Sequence, residues 1–147
     1  MFKKDDLHQL ALQYQTPLYI YSKERILENF NHYRTGFGDY PHQICYAVKA
    51  NSNLAILQLL AAEGSGLDIV SIGELKRVLA AGGDPKKVVY SGVGKSKADL
   101  TYALQSGIGC FNIESRAEVY MLNEVANELQ RTAPVSLRIN PNVDPKT

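Results

Sequence analysis

From Gln43 onward the chain repeats one pattern: a short apolar run, a polar or glycine-marked corner, then ten or more residues with apolar positions at helical spacing. The apolar runs are Ile44 to Val48, Leu67 to Val70, Val88 to Tyr90, Cys110 to Ile113 and Val135 to Ile139, and they predict five strands. The segments between them predict amphipathic helices over Asn53 to Glu63, Ile72 to Ala81, Lys97 to Ser106 and Arg116 to Thr132. Ser71 with Glu74 and Ser115 with Glu118 fit the capping box, in which the serine oxygen takes an orphan helix N–H and the acid reaches back. Ser96 with Asp99 is a weaker version. Gly82-Gly83, and Gly107 with Gly109, end two of the helices.

A different piece comes first: a helix over Lys4 to Gln15, an alternating strand over Leu18 to Tyr21, a helix over Lys23 to Thr35, then a connector from Gly36 to Pro41. The expected organisation is an N-terminal helix–strand–helix segment, 1–36, and an α/β domain, 37–147. Because parallel crossovers are right-handed, consecutive βα units either open into a doubly wound sheet or close into a barrel. No strand is followed by G-x-G-x-x-G, the strands come at an even pitch, and polar residues recur on one side of their C-terminal ends. These features favour the barrel. A (β/α)8 barrel needs eight strands and typically about 250 residues, so the predicted fold is an incomplete TIM-type barrel of five strands, cut short within the barrel.

Composition narrows the function classes. Of 147 residues 45% are hydrophobic, enough for a packed core, and 16 Lys and Arg against 15 Asp and Glu leave a formal charge of +1. That balance argues against binding to nucleic acid or an anionic membrane. No apolar stretch reaches the ~18 residues of a membrane span, and Met1 to Asp6 lacks a signal-peptide core, so the expected location is the cytoplasm. Cys45 and Cys110 have no disulfide or zinc spacing and are expected as small buried residues. His8, His32 and His42 precede the first barrel strand and are expected as surface or connector histidines.

One lysine ends the first apolar run, Cys45-Tyr46-Ala47-Val48-Lys49-Ala50-Asn51. A lysine there commonly snorkels to water along its own stem. The other reading is a Schiff-base lysine: carbonyl attack needs the neutral amine, which desolvation and a nearby cation favour. The alanine and cysteine below it leave room for a cofactor ring. Alternation places Cys45, Ala47 and Lys49 on one face, with Gly66 and Asp68, with Cys110, Asn112 and Glu114, and with Ser136, Arg138 and Asn140 on the corresponding faces of later strands. Small and polar side chains would then line the mouth where barrel enzymes hold their chemistry. Tyr90 to Ser96, YSGVGKS, ends like a phosphate-binding P-loop, but Val89 stands where that motif needs glycine, so nucleotide binding is not expected.

Several runs together carry a resemblance. Tyr46 to Asn53, YAVKANSN, resembles the lysine motif of the fold-type III pyridoxal-phosphate enzymes. Gly64 to Ser71 with Gly73-Glu74-Leu75, Tyr90 to Lys95, Gly109 to Ser115, and Leu137 to Pro141 followed by Val143-Asp144 are similar in order and spacing to the bacterial diaminopimelate decarboxylase family, over essentially the whole chain. Ornithine-type decarboxylases share the lysine and aspartate motifs but differ at the glycine-rich segment. Ile72 stands where the family usually has glycine, which implies a local change at that helix start.

The resemblance implies a carboxy-lyase that converts meso-diaminopimelate to lysine and carbon dioxide, with pyridoxal 5'-phosphate on Lys49 and with Asp68 and Arg138 as cofactor-binding residues. Asp68 and Arg138 would pair across the lumen, either to hold the cofactor floor or as a structural ion pair, and Asn112 and Glu114 would stand behind them. It also implies a homodimer and an N-terminal segment that helps join the barrel to a C-terminal β-domain. Leu18 to Tyr21 would then be a strand without its sheet, and the chain is expected to self-associate through it or through the open edges of the half-barrel. The family's ring-stacking histidine, glycine-rich phosphate loop, pyridine-nitrogen acid and C-terminal cysteine all lie beyond Thr147, so this chain alone is not expected to turn over substrate. Alternatives are a non-catalytic pyridoxal-phosphate-binding barrel, another amino-acid decarboxylase or alanine racemase-like enzyme, and a structural piece whose lysine never meets cofactor; the SGVGK and CFNIES segments favour the decarboxylase.

Overall fold

A computed structural model describes residues 2–144, so the last three residues of the expected barrel domain, 145–147, lie outside the described residues. The chain divides into two compact units between His42 and Gln43. In the first, helices α1 (Lys4–Tyr14) and α2 (Lys23–Phe37) form as predicted, within two residues at each end, and the Ser22 hydroxyl caps α2 by accepting from the Arg25 N–H at 3.2 Å. Leu18 to Tyr21, expected as a strand, is extended chain with no ladder partner among the described residues. Alternation supplies a strand's side chains, but the backbone groups of a strand need a neighbouring strand to pair with.

In the second unit, β1 (Cys45–Ala47), β2 (Gly66–Ile69), β3 (Val88–Tyr90), β4 (Cys110–Ile113) and β5 (Val135–Leu137) form one parallel sheet in the order β1-β2-β3-β4-β5. Each crossover carries a helix: α3 (Leu54–Ala62), α4 (Ile72–Ala80), α5 (Lys97–Gln105) and α6 (Arg116–Glu128). The order never reverses. With every crossover of one hand, all four helices stack on one face, as in a (β/α)8 barrel, whereas a doubly wound sheet reverses direction and carries helices on both. The five-stranded, barrel-type α/β arrangement is therefore as expected.

Leu67, Ile69, Val88, Tyr90, Phe111 and Ile113 point toward the helices and are at most 4% exposed; there they meet Leu57, Leu75, Val78, Leu100, Leu104, Leu122 and Val125. Burying each such side chain contributes about 1.5–3 kcal/mol relative to leaving it in water. The alternate residues Ala47, Asp68, Val89, Cys110 and Asn112 are only half-buried. Cys45 and Cys110 are accordingly half-buried free thiols rather than the buried residues expected, because no helix covers their face. Desolvation still pushes the Cys110 thiol up from its ordinary range.

The helix starts reverse the expected ranking of caps. Ser96 and Asp99 make the complete box: Ser96 Oγ accepts from the Asp99 N–H at 3.2 Å, and Asp99 Oδ2 accepts from the Ser96 N–H at 3.0 Å. At α4 and α6 the serines cap as expected, but the glutamates overshoot. Glu74 Oε2 accepts from the Val70 N–H at 2.7 Å and Glu118 Oε2 from the Glu114 N–H at 2.9 Å, each one residue upstream of the cap. The extra methylene of glutamate carries its carboxylate past the N-cap amide that aspartate reaches.

Candidate functional site

At the C-terminal edge of the sheet the chain leaves β1 through a single 3-10 turn, Val48–Ala50. Val48 is fully buried and anchors this turn, which leaves Lys49 exposed with no hydrogen bond or ion pair among the described residues. The residues after it are fixed in place. The Tyr46 hydroxyl donates to the Asn51 carbonyl at 3.2 Å, Asn51 Oδ1 accepts from the Asn53 N–H at 3.0 Å, and Asn53 Oδ1 accepts from the Ala55 N–H at 2.9 Å, capping α3. The YAVKANSN run thus builds a rigid turn around one free primary amine. Small residues, Cys45 and Ala47, precede it on β1, with Gly66 of β2 in register with Cys45. A Cβ on Gly66 would lie 2.6 Å from Cys45 Sγ and 2.8 Å from the Lys87 carbonyl, so the two strands approach only over glycine.

Asp68 lies on β2 in register with Ala47. Its Oδ1 accepts from the Ser91 hydroxyl at 2.6 Å, and Ser91 Oγ in turn accepts from Asn112 Nδ2 at 2.9 Å. Arg138 follows β5, where its N–H continues the ladder to the Ile113 carbonyl at 2.9 Å. Its Nη1 donates to Glu114 Oε2 at 3.1 Å, and the guanidinium side chain stays 67% exposed while Glu114 is 10% exposed. The expected Asp68–Arg138 pair is not formed. In the sheet order two strands separate β2 from β5, and the acid that follows the adjacent strand β4 takes the arginine first. Asn112 and Glu114, expected to stand behind the site, are the residues that link its members.

Lys95, the P-loop-like lysine, points inward. Its ammonium donates to the Gly92 carbonyl at 2.6 Å, to the Asn112 carbonyl at 2.9 Å and to Glu118 Oε1. All three protons are committed, which leaves none for a phosphate, in line with the expectation against nucleotide binding. Beside it lies Tyr90, with the Lys95 ammonium 5.4 Å from its ring centroid. Burial, aided by the charges of Asp99, Glu74 and Glu118, pushes the Tyr90 phenol up to about 12. Ser91, Lys95 and Glu118 were not legible as site-building residues, since each also fits an ordinary loop or helix-start position. His8, His32 and His42 are exposed residues of the first unit, as expected. Among the described residues no cluster of His, Cys, Asp or Glu could hold a metal ion.

Residues 23–147 match the family model described as the pyridoxal-binding domain of pyridoxal-dependent decarboxylases. The chain is 61% identical over 141 residues to the diaminopimelate decarboxylase of Vibrio cholerae, an alignment that covers 96% of this chain and 34% of that protein. It superposes on the crystal structure of diaminopimelate decarboxylase from Helicobacter pylori complexed with L-lysine with a TM-score of 0.93 and 45% identity, covering 96% of this chain and 36% of the other. The structure of SrLDC in complex with pyridoxal phosphate and cadaverine is similar at 26% identity and a TM-score of 0.84, covering 95% and 35%. The chain spans about a third of the length of the relatives it matches.

Proposed function

The chain belongs to the pyridoxal-dependent decarboxylases through their pyridoxal-binding domain, and on that premise we propose that it is the N-terminal portion of a diaminopimelate decarboxylase, acting on meso-diaminopimelate to give lysine and carbon dioxide, with Lys49 as the residue that takes the cofactor. The observation that carries this reading is the exposed, unpartnered Lys49 on a rigid turn, beside a face of small residues. Those residues fit the aldehyde end of pyridoxal phosphate: a primary amine held in no ion pair is accessible to a carbonyl, and the small, half-buried Cys45 and Ala47 leave space for a flat ring. Bound there, the cofactor supplies an electron-withdrawing ring that takes up the electron pair left when a carboxylate departs as carbon dioxide.

Lys49 supplies the amine and, because the turn behind it is locked, delivers it from one direction. Asp68 offers a carboxylate with one oxygen held by Ser91 and the other free to accept a proton or a donor from the bound group. Arg138, tethered at one nitrogen by Glu114, keeps further N–H donors directed at solvent, suited to an anionic oxygen of cofactor or substrate. Free thiols at Cys45 and Cys110 suit the reducing cytoplasm, and no helix among the described residues is long and apolar enough to cross a membrane. A homodimer of the whole protein belongs to the same reading.

The test is an absorption spectrum of the chain with added pyridoxal phosphate, then borohydride reduction and peptide mapping. The expected result is a visible band and an adduct concentrated on Lys49, both lost in Lys49→Ala. An adduct spread evenly over the chain's lysines overturns the assignment. The chain alone is expected to release no carbon dioxide from meso-diaminopimelate in a steady-state assay.

A further inference from the structure

Four hydrogen bonds behind the sheet edge close on themselves. Lys95 Nζ donates to Glu118 Oε1; Glu118 Oε2 accepts from the Glu114 N–H at 2.9 Å; Glu114 Oε1 accepts from the Gly92 N–H at 2.7 Å; and the Gly92 carbonyl accepts from Lys95 Nζ at 2.6 Å. The ring ties the β3–α5 loop to the end of β4 and the first turn of α6. The Lys95 and Glu118 side chains are 1% and 8% exposed. Gly92 suits its place in the ring: its φ of +96° lies in the region that favours glycine, and an added Cβ would meet Val70 at 3.4 Å.

The ring has two exits. The second carboxylate oxygen of Glu114 takes Arg138 Nη1, and Ser91, immediately before Gly92, gives its hydroxyl to Asp68. Asp68 and Arg138 do not touch each other, yet Arg138 is bonded to one ring member and Asp68 to the residue next to another. We propose that Lys95 and Glu118 are positioning residues for the Lys49 site: the ring they close sets the separation of Asp68 and Arg138 and acts on the cofactor only through them. This rests on the reading of Lys49 as the cofactor lysine. A buried ion pair is a weak source of stability, because desolvation offsets most of the attraction and uncharged replacements of similar shape are often neutral. What the pair provides is direction, since an ammonium with three acceptors and a carboxylate with a donor on each oxygen hold their neighbours at fixed angles.

The test uses the whole chain unaltered, with Lys95→Met plus Glu118→Gln, and with Ser91→Ala. The double substitution removes both charges but leaves an amide oxygen for the Glu114 N–H; Ser91→Ala keeps the ring whole and cuts its exit to Asp68. Each form is titrated with pyridoxal phosphate, reduced with borohydride and mapped, and its melting temperature is recorded. Both variants are expected to melt within about 5 °C of the unaltered chain, while the apparent affinity for capture at Lys49 falls roughly tenfold and capture at the other lysines does not change. Asp68→Asn should lower the Lys49 value less in the Ser91→Ala background than in the unaltered chain, because the two lie on one line of action; equal losses in both backgrounds would overturn that link. Undiminished Lys49 capture in both variants overturns the proposal and makes the ring scaffold alone. Should the double variant melt far lower, Glu118→Gln alone is measured in its place: a loss of Lys49 capture alongside that of Ser91→Ala supports the proposal, and undiminished capture overturns it. Failure of the unaltered chain to favour Lys49 removes the reading of that lysine instead, and the proposal with it.

Discussion

Lys95 is held almost wholly out of water by one carboxylate and two carbonyls, so its single removal differs in kind from removal of the pair. Lys95→Met alone leaves the Glu118 charge buried and uncompensated, and the expected loss is about 3–5 kcal/mol in denaturant unfolding, much of it recovered when Glu118→Gln is added. Tyr90 gives a second residue-level prediction. Its phenol titrates near 10 when unfolded and about 12 when folded, chiefly through burial. Between those values the unfolded chain has released a proton that the folded chain retains, so stability is full below pH 10 and declines as pH rises toward 12. Tyr90→Phe, which keeps the ring against Phe111, should show a shallower alkaline decline in a pH series of melting curves. An identical slope in both proteins would assign the decline to other groups.

At the scale of elements, the helix starts show how one methylene redistributes a motif. Ser96 and Asp99 satisfy each other's amides, while Glu74 and Glu118 pass over the cap to the strand-end amides of Val70 and Glu114. That reach joins α4 to the end of β2 and α6 to the end of β4, and at α6 it leaves the other oxygen for Lys95. Ser96→Ala should cost about 1 kcal/mol in thermal or chemical unfolding, as it removes the hydroxyl oxygen that accepts from the Asp99 N–H while the backbone N–H at position 96 keeps its bond to Asp99. The strand and helix positions from Gln43 onward were legible from periodicity alone, and most boundaries fall within two residues. The last predicted helix overran, since Arg116 to Thr132 contracts to Arg116–Glu128, with Leu129 as its cap and Gln130 at a φ of +50°. The 3-10 turns Val48–Ala50 and Pro85–Lys87 were not legible, because three residues carry no period.

For the whole molecule, the exposed face of β5 sets the expectation. Val135 and Leu137 are 53% and 67% exposed and Ile139 is 82% exposed, although their alternation matches that of strands whose counterparts lie under a helix. Val135 and Leu137 line a hollow with Leu122 and Ala126 of α6. With β1 and β5 as the sheet edges among the described residues, and with Leu18 to Tyr21 lacking a ladder partner there, the proposed self-association runs through these edges or through that segment. Sedimentation should show mass rising with concentration, and Leu137→Lys should shift the distribution toward monomer. Monomer alone at high concentration would remove the proposal.

The sequence by itself determined the repeat of strands and helices, the side of each strand that carries polar residues, and the position of Lys49 at the first strand's end, because hydrophobic period and local capping are encoded within ten or so residues. It also carried the family, through runs whose order and spacing span the chain. Strand order excluded a doubly wound sheet, and only the tertiary structure could supply it. Tertiary structure also decided which acid holds which cation. Asp68 and Arg138 were readable as polar residues on one face, but their partners, Ser91 and Glu114, follow from which strands are neighbours. Lys95 and Glu118 stand 23 positions apart, and no local pattern links them; their burial together is a consequence of packing a loop, a strand end and a helix start into one layer.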